Sequence, residues 1–335
     1  MDEVTPKTTA GQATPQAVAA DRASAGAAMD PAPLESLPLD RTPLDRTPLD
    51  RARVEALAGP TGPLGSVTVL DSTGSTNDDL AAAAGGSADL SVIASEHQVS
   101  GRGRLGRDWG APPRSSLAVS VLFKPAVFPP EAFGWLSMLC ALSLVEALES
   151  LGATARIKWP NDVLLYRADA GSEASLAGRG PRKLAGLLAQ FVPGGGPEDR
   201  PGVVVGAGIN VDLTAGELPV PTATSLRHAG YDIGGTEVLV AYLEHLAARY
   251  RDFLEGSRPG GAGSGVAGLR NAVADRMATL GCEVRAELPD GSSFEGVARE
   301  LGLDGGLGVE TPGGARRTVH AADVLHLRRA DGRYA

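Results

Sequence analysis

The stretch Gly101-Arg-Gly-Arg-Leu-Gly-Arg-Asp-Trp109 sets three arginines and three glycines in a short run that ends on an aromatic residue. Arginine forks match carboxylates and phosphates, and glycines let a backbone approach a ligand closely. The chemistry predicted is a cationic loop that closes over a phosphate-bearing small molecule. Two other readings of the same run fail on its surroundings. Gly101, Gly103 and Gly106 satisfy G-x-G-x-x-G, but a dinucleotide-binding turn needs a strand directly before it and a helix directly after. The apolar run Leu90 to Ala94 stops well short of Gly101, and Gly110, Pro112 and Pro113 bar a helix after Trp109. A nucleic-acid patch is disfavoured by a formal net charge of -9 and by the lack of a second basic cluster.

Four more stretches carry chemically useful residues: Ser75-Thr76-Asn77, Lys158-Trp159-Pro160-Asn161-Asp162, Lys183-Leu184-Ala185-Gly186-Leu187 and Gly206-Ala207-Gly208-Ile209-Asn210. Each also has an ordinary structural reading. Ser75 or Thr76 suits the N-cap of a short helix from Asp78 to Ala84, whose first turn holds Asp78 and Asp79. Lys183 reads equally as a solvated edge charge, Trp159 as core, Asn161 and Asp162 as turn residues, and Asn210 as a strand-end amide. No G-x-S-x-G occurs, which excludes a serine-hydrolase elbow. No G-x-x-x-x-G-K-[ST] occurs either, which excludes a P-loop ATPase but not ATP use.

The elements that must position these residues follow from hydrophobic periodicity and turn signals. Strands are predicted at Val67 to Leu70, Leu90 to Ala94, Leu117 to Phe123, Arg156 to Trp159, Val163 to Tyr166, Lys183 to Phe191 and Val203 to Val211. The main packed helix is predicted from Pro130 to Leu151, and a second from a Thr236 cap to Leu254. Residues 167–182 read as a mobile insertion, and Gly256 to Gly268 as a flexible surface loop. Beyond about Asp275, turns at Pro289-Asp290-Gly291, Asp304-Gly305-Gly306 and Pro312-Gly313-Gly314 separate short strands, the spacing of a small β-barrel.

The 335 residues, 43% of them hydrophobic, suffice for two folded domains and a looser segment. That segment is residues 1–64, rich in Ala, Pro, Thr and Asp, with Pro-Leu-Asp-Arg-Thr beginning at Pro38 and Pro43 and in part at Pro48. It reads as a disordered tail. The two cysteines, Cys140 and Cys282, are too few and too distant for a disulfide framework or zinc site. No run reaches transmembrane length and no secretory pattern opens the chain, so a cytoplasmic protein is expected.

In their order, the five stretches resemble those of the biotin protein ligases, over roughly Val67 to Leu327. The resemblance implies an α+β fold: a mixed sheet flanked by helices, like that of class II aminoacyl-tRNA synthetases, over 65–274, then a small SH3-like β-barrel over 275–335. It implies two steps, in which biotin and ATP give biotinyl-5'-AMP and pyrophosphate with Mg2+ assisting, and a lysine of a biotin carboxyl carrier domain then takes the biotin, as in acetyl-CoA carboxylase. By that resemblance Ser75, Thr76 and Gln98 bond the ureido group, while Trp109, Gly186 and Gly208 complete the biotin pocket. Arg102, Arg104 and Lys183 are the catalytic cations. Arg107, Lys158, Asn161 and Asn210 hold the nucleotide, and Asp162 either binds metal or orients the lysines. The implied partner is the carrier domain of a biotin-dependent carboxylase, acting on a monomer or weak homodimer. Lipoate ligases share the fold but carry an Arg-Arg-x-Ser-Gly-Gly-Gly type stretch, which is absent. Some biotin protein ligases are also repressors with an N-terminal helix-turn-helix; the proline-rich residues 1–64 show no paired amphipathic helices, so no nucleic-acid partner is expected.

Overall fold

Alternation along two strands explains the architecture. In β3 (Ser116–Phe123), Val119, Val121 and Phe123 interleave with Ala118, Ser120 and Leu122; in β7 (Gly202–Asn210), Val203, Val205, Ala207 and Ile209 interleave with Val204, Gly206, Gly208 and Asn210. Successive side chains of a strand point to opposite faces. One face is therefore continuously apolar, and the other is small and polar towards one end.

The computed structural model describes residues 46–59, 61–125, 133–168, 180–195, 200–258, 260–261, 264–288, 291–320 and 326–328, all within the compact unit Ser36–Ala335. The strands β1 (Ser66–Leu70), β2 (Ser91–Ser95), β3, β4 (Ala155–Lys158), β5 (Asp162–Leu165), β6 (Arg182–Val192) and β7 form one sheet in the order β1-β2-β3-β7-β6-β5-β4. Only the β1–β2 pair is parallel, so the sheet is mixed as expected. Its apolar face packs on α3 (Phe133–Ser150) and α4 (Gly235–Gly256). The opposite face carries α2 (Thr76–Ala83), whose Leu80 is buried with Ala84, Leu122 and Val204. After α5 (Gly265–Asp275), β8 (Glu283–Glu287), β9 (Ser293–Leu301), β10 (Leu307–Glu310), β11 (Arg316–Val319) and β12 (His326–Arg328) make a small antiparallel sheet in the order β11-β10-β9-β8-β12. Two indoles fasten it to the larger one. Trp135 Nε1 donates to the Leu303 carbonyl at 2.9 Å, and Trp159 Nε1 to the Gly305 carbonyl at 3.0 Å.

The expected tail of residues 1–64 contains ordered chain from Arg46 on. Residues 46–59 and 61–64 are docked: Asp50 caps α1 (Arg51–Glu55) by accepting from the Arg53 N–H, and Leu49, Val54 and Leu64 are buried. Sparse apolar residues hid this, because a segment needs no core of its own when it lies on another's. Residues 1–45 fall outside the described residues. The loop expected over Gly256 to Gly268 is also shorter than predicted. Gly256 ends α4 and α5 starts at Gly265, with Leu269 and Val273 giving the buried stripe that the glycines masked. Thr236 does not cap α4; its Oγ1 instead accepts the Asp50 N–H at 3.0 Å. The 18-residue α3 is, against expectation, long and apolar enough to cross a membrane by length and composition. Leu136, Leu139, Leu142 and Val145 are nevertheless fully buried in the core. Its predicted start, and residues 169–179 of the predicted insertion, lie outside the described residues.

Candidate active site

The small-residue face of the sheet is the floor of a cleft of about 590 Å³, within the range of small-molecule sites. Register lines up its centre. Asp162 pairs with Gly186, Gly186 with Gly208, and Gly208 with Ala118, so one row crosses four strands with almost no side-chain bulk. The Trp109 indole lies on this row. A Cβ at Gly208 would overlap its ring, and one at Gly186 would come within 3.3 Å of it. The glycines are required by close approach.

A β-bulge brings Lys183 into the cleft. Val163 pairs with Ala185 but Leu164 with Lys183, which leaves Leu184 as the extra residue. Residues three apart on a strand ordinarily face opposite ways; the added residue restores Lys183 and Gly186 to the same side. Lys183 Nζ lies 2.7 Å from Asp162 Oδ1 and 5.7 Å from the Trp109 ring centroid, with Lys183 23% and Asp162 13% exposed. Both neighbours hold the Lys183 side chain across the floor.

One end of the cleft is a hydrogen-bonded polar group set by α2. Ser75 caps the helix, its Oγ accepting from the Asp78 N–H at 3.3 Å. Gln98 Oε1 accepts from the Thr76 N–H at 2.8 Å and from Thr76 Oγ1 at 3.1 Å. Ser120 Oγ reaches Thr76 Oγ1 at 2.8 Å and Asn77 Oδ1 at 2.6 Å, and Asn77 Nδ2 donates to the Leu188 carbonyl. Such a connected network fixes donor and acceptor positions before any ligand arrives.

At the other end lie Asn210, whose Nδ2 donates to the Thr224 carbonyl at 2.9 Å, and the segment Thr222–Thr224, which pairs with Lys183 on both sides. The arginine loop folds over the middle. The Trp109 N–H donates to the Gly101 carbonyl and the Gly103 N–H to that of Arg107, closing a hairpin around the turn Arg104–Gly106. No helix follows. Arg104 Nη1 donates to Asn161 Oδ1 at 3.0 Å, and Asn161 Nδ2 in turn to the Leu187 carbonyl. Burial pushes the Arg104 guanidinium below its ordinary value, against the charge of Asp162, while Arg107 adds to the lowering. Arg102 sits further out, 3.4 Å from Asp78.

All the residues singled out in the sequence line this one cleft: Ser75, Thr76, Gln98, Arg102, Arg104, Arg107, Trp109, Lys158, Asn161, Asp162, Lys183, Gly186, Gly208 and Asn210. Sequence reasoning missed Ser120, and gave no role to Asn77 or Gly206 within their stretches: Asn77 and Ser120 tie α2 to the floor, and Gly206 leaves room for the Asn77 amide. Their signal was the strand pairing Ser120–Gly206, which no local pattern displays. Pro219 to Ala223 form a wall that follows from no motif.

A cation-lined cleft on a glycine-floored mixed sheet suits an anionic small molecule. Residues 69–210 match the model of the Biotin/lipoate A/B protein ligase family. A biotin--[acetyl-CoA-carboxylase] ligase of Mycobacterium tuberculosis is 36% identical over 273 residues, covering 78% of this chain and 88% of the relative. One from Paracoccus denitrificans is 31% identical over 265 residues, covering 77% of this chain and 99% of the relative. The solved biotin protein ligase of Aquifex aeolicus, in complex with biotin and ATP, superposes with a TM-score of 0.60 at 25% identity, covering 79% of this chain and 99% of that one. This chain belongs to the biotin protein ligase family.

Proposed function

We propose that the protein activates biotin with ATP and transfers it to a lysine of a biotin carboxyl carrier domain, that of acetyl-CoA carboxylase being the acceptor its relatives name. The observation that carries the reading is that Lys183, held by Asp162, and Arg104, held by Asn161, line one cleft of about 590 Å³. Two anions, a carboxylate and a triphosphate, repel each other, and fixed cations between them lower that barrier. A carboxylate oxygen of biotin bonds to the α-phosphorus as the bond to the β-phosphate breaks, giving biotinyl-5'-AMP and pyrophosphate. A lysine amine then attacks the acyl carbon, loses a proton and expels AMP.

Ser75, Thr76 and Gln98 bind the ureido ring, and Trp109, packed on Gly186 and Gly208, forms a wall of the biotin pocket. Arg102, Arg104 and Lys183 stabilise the charge that moves onto the phosphate, while Arg107, Lys158, Asn161 and Asn210 hold the nucleotide. One hydrogen of the Asn210 amide nitrogen is bonded to the Thr224 carbonyl, which leaves its other hydrogen and its carbonyl oxygen to meet adenine. Among the described residues no three His, Cys, Asp or Glu side chains are grouped to hold a metal. Magnesium carried by substrate phosphates needs only one or two carboxylates; of the cleft carboxylates Asp78, Asp108 and Asp162, we assign it to Asp162, beside Lys183. Bound there, the ion would add positive charge at the phosphates. The sheet arrangement supports a class II synthetase-like catalytic domain with an SH3-like domain after it, and the expected setting is the cytoplasm, with a monomer or weak homodimer and no nucleic-acid partner.

Biotin-dependent exchange of labelled pyrophosphate into ATP tests the reading, because it isolates the first step from the acceptor. Exchange with biotin and none with lipoate or octanoate is expected. Exchange driven only by those acids would overturn it.

A further inference from the structure

The repeated Pro-Leu-Asp-Arg-Thr motif has no part in the chemistry above, yet its second copy places a charged side chain deep in the fold. The Arg46 side chain is 7% exposed. Its Nη2 donates to Glu217 Oε2 at 2.6 Å and to the Asp212 carbonyl at 3.1 Å, its Nε lies 3.5 Å from Asp212 Oδ2, and its Nη1 donates to the Pro113 carbonyl at 3.5 Å. Burying a guanidinium is costly unless carboxylates surround it. Here two do. Burial works against the charge of Glu217, yet the Thr214 hydrogen bonds and Arg46 bring its carboxyl below the ordinary range.

The three partners lie on the two chain segments that continue from the cleft. Asp212 and Glu217 bracket the loop that begins two residues after Asn210 and leads to Pro219–Ala223, the wall beside Lys183. Pro113 follows the arginine loop, four residues past Trp109. The Asp212 and Val211 N–H groups both donate to the Ser115 carbonyl, so the two segments are also joined directly beneath Arg46. Ser75, Thr76 and Gln98 belong to the other end of the cleft, and none contacts Arg46 through a hydrogen bond or ion pair among the described residues.

We infer that Arg46 is a positioning residue for the nucleotide end of the cleft, its fork clamping the Asp212–Glu217 loop to the segment after Trp109 and so fixing Asn210 and the Pro219–Ala223 wall. The inference deepens the adenylating reading and rests on it for the identity of the ligand. It assigns the second repeat copy a task, and it makes residues 46–50 part of the catalytic unit.

The test varies ATP and biotin separately in pyrophosphate exchange, with melting temperature measured alongside. Arg46→Ala is expected to raise the KM for ATP about tenfold, the order of effect that a small displacement of site groups produces, and to leave that for biotin within about twofold. Arg46→Lys keeps the charge without the fork and should recover part of the loss. Arg41→Ala, the same position in the preceding copy, should behave as the parent does. Should Arg46→Ala fail to fold, Glu217→Gln weakens the same clamp while leaving Asp212 in place, and is read in the same way. Equal rises in both KM values, or a lower melting temperature with neither KM changed, would reduce Arg46 to a structural anchor and overturn the inference; so would an Arg41→Ala effect equal to that of Arg46→Ala. ATP binding measured by calorimetry separates the two claims. A parent that binds ATP more tightly than Arg46→Ala but shows no biotin-dependent exchange sinks the proposed function and leaves the clamp standing.

Discussion

The two faces of the seven-stranded sheet are built from the same strands to opposite ends. On the helix side, Val119, Val121 and Phe123 of β3 and Val205, Ala207 and Ile209 of β7 are buried against α3 and α4. On the cleft side, the intervening positions are Ala118, Ser120, Gly206 and Gly208, which leave the volume that Trp109 and a ligand can share. The period of two lets one run of residues build the core and the site without either intruding on the other. What the comparison teaches is that bulk stabilises one face, while its absence makes the other face useful.

If that division holds, changes on the two faces should separate chemistry from stability. The largest effect is expected from Lys183→Ala, which removes the cation that Asp162 directs over the floor. The single-turnover rate of adenylate formation should fall about 100- to 1000-fold, with biotin affinity and melting temperature much less affected. A normal chemical step would break the assignment of the cleft face to catalysis. Next comes Gly208→Ala, whose Cβ has no room under the Trp109 indole. Displacing the ring should weaken biotin binding about tenfold or more by titration calorimetry, and a variant that binds biotin as the parent does would show that Trp109 is not the cover of that pocket.

On the other face, Leu139→Ala in α3 removes a fully buried side chain and should cost about 2–5 kcal/mol in denaturant unfolding. Its kinetics per folded molecule should match the parent; a large fall in rate at unchanged stability would mean that the faces are not independent. The smallest effect belongs to His228, which is buried and, among the described residues, has no hydrogen-bond partner for Nδ1. Burial, aided by the charges of Arg182 and Arg167, holds its imidazole below the ordinary 6.5. The unfolded chain then takes up the proton first, so this contribution to stability is present above pH 6.5 and is lost as the pH falls below it. His228→Gln should flatten the melting-temperature profile in that acidic window, and an unchanged slope would remove His228 from the account.

The sequence by itself determined the strand series, the chemical types at the site and the order of the five motifs, because periodicity, turn residues and glycine placement act locally. The Ser75 cap and the turn at Asn161 were legible for that reason. Only the tertiary structure decided which residues meet. The bulge at Leu184, which turns Lys183 to the same side as Gly186, depends on pairing with β5, and the Asn77–Ser120 contact joins positions 43 residues apart. The order of residues 46–59 is hidden from the sequence for the same physical reason. A segment poor in large apolar residues has no local signature of order, and Arg46, Leu49 and Val54 become fixed only because partners remote in sequence bury and neutralise them.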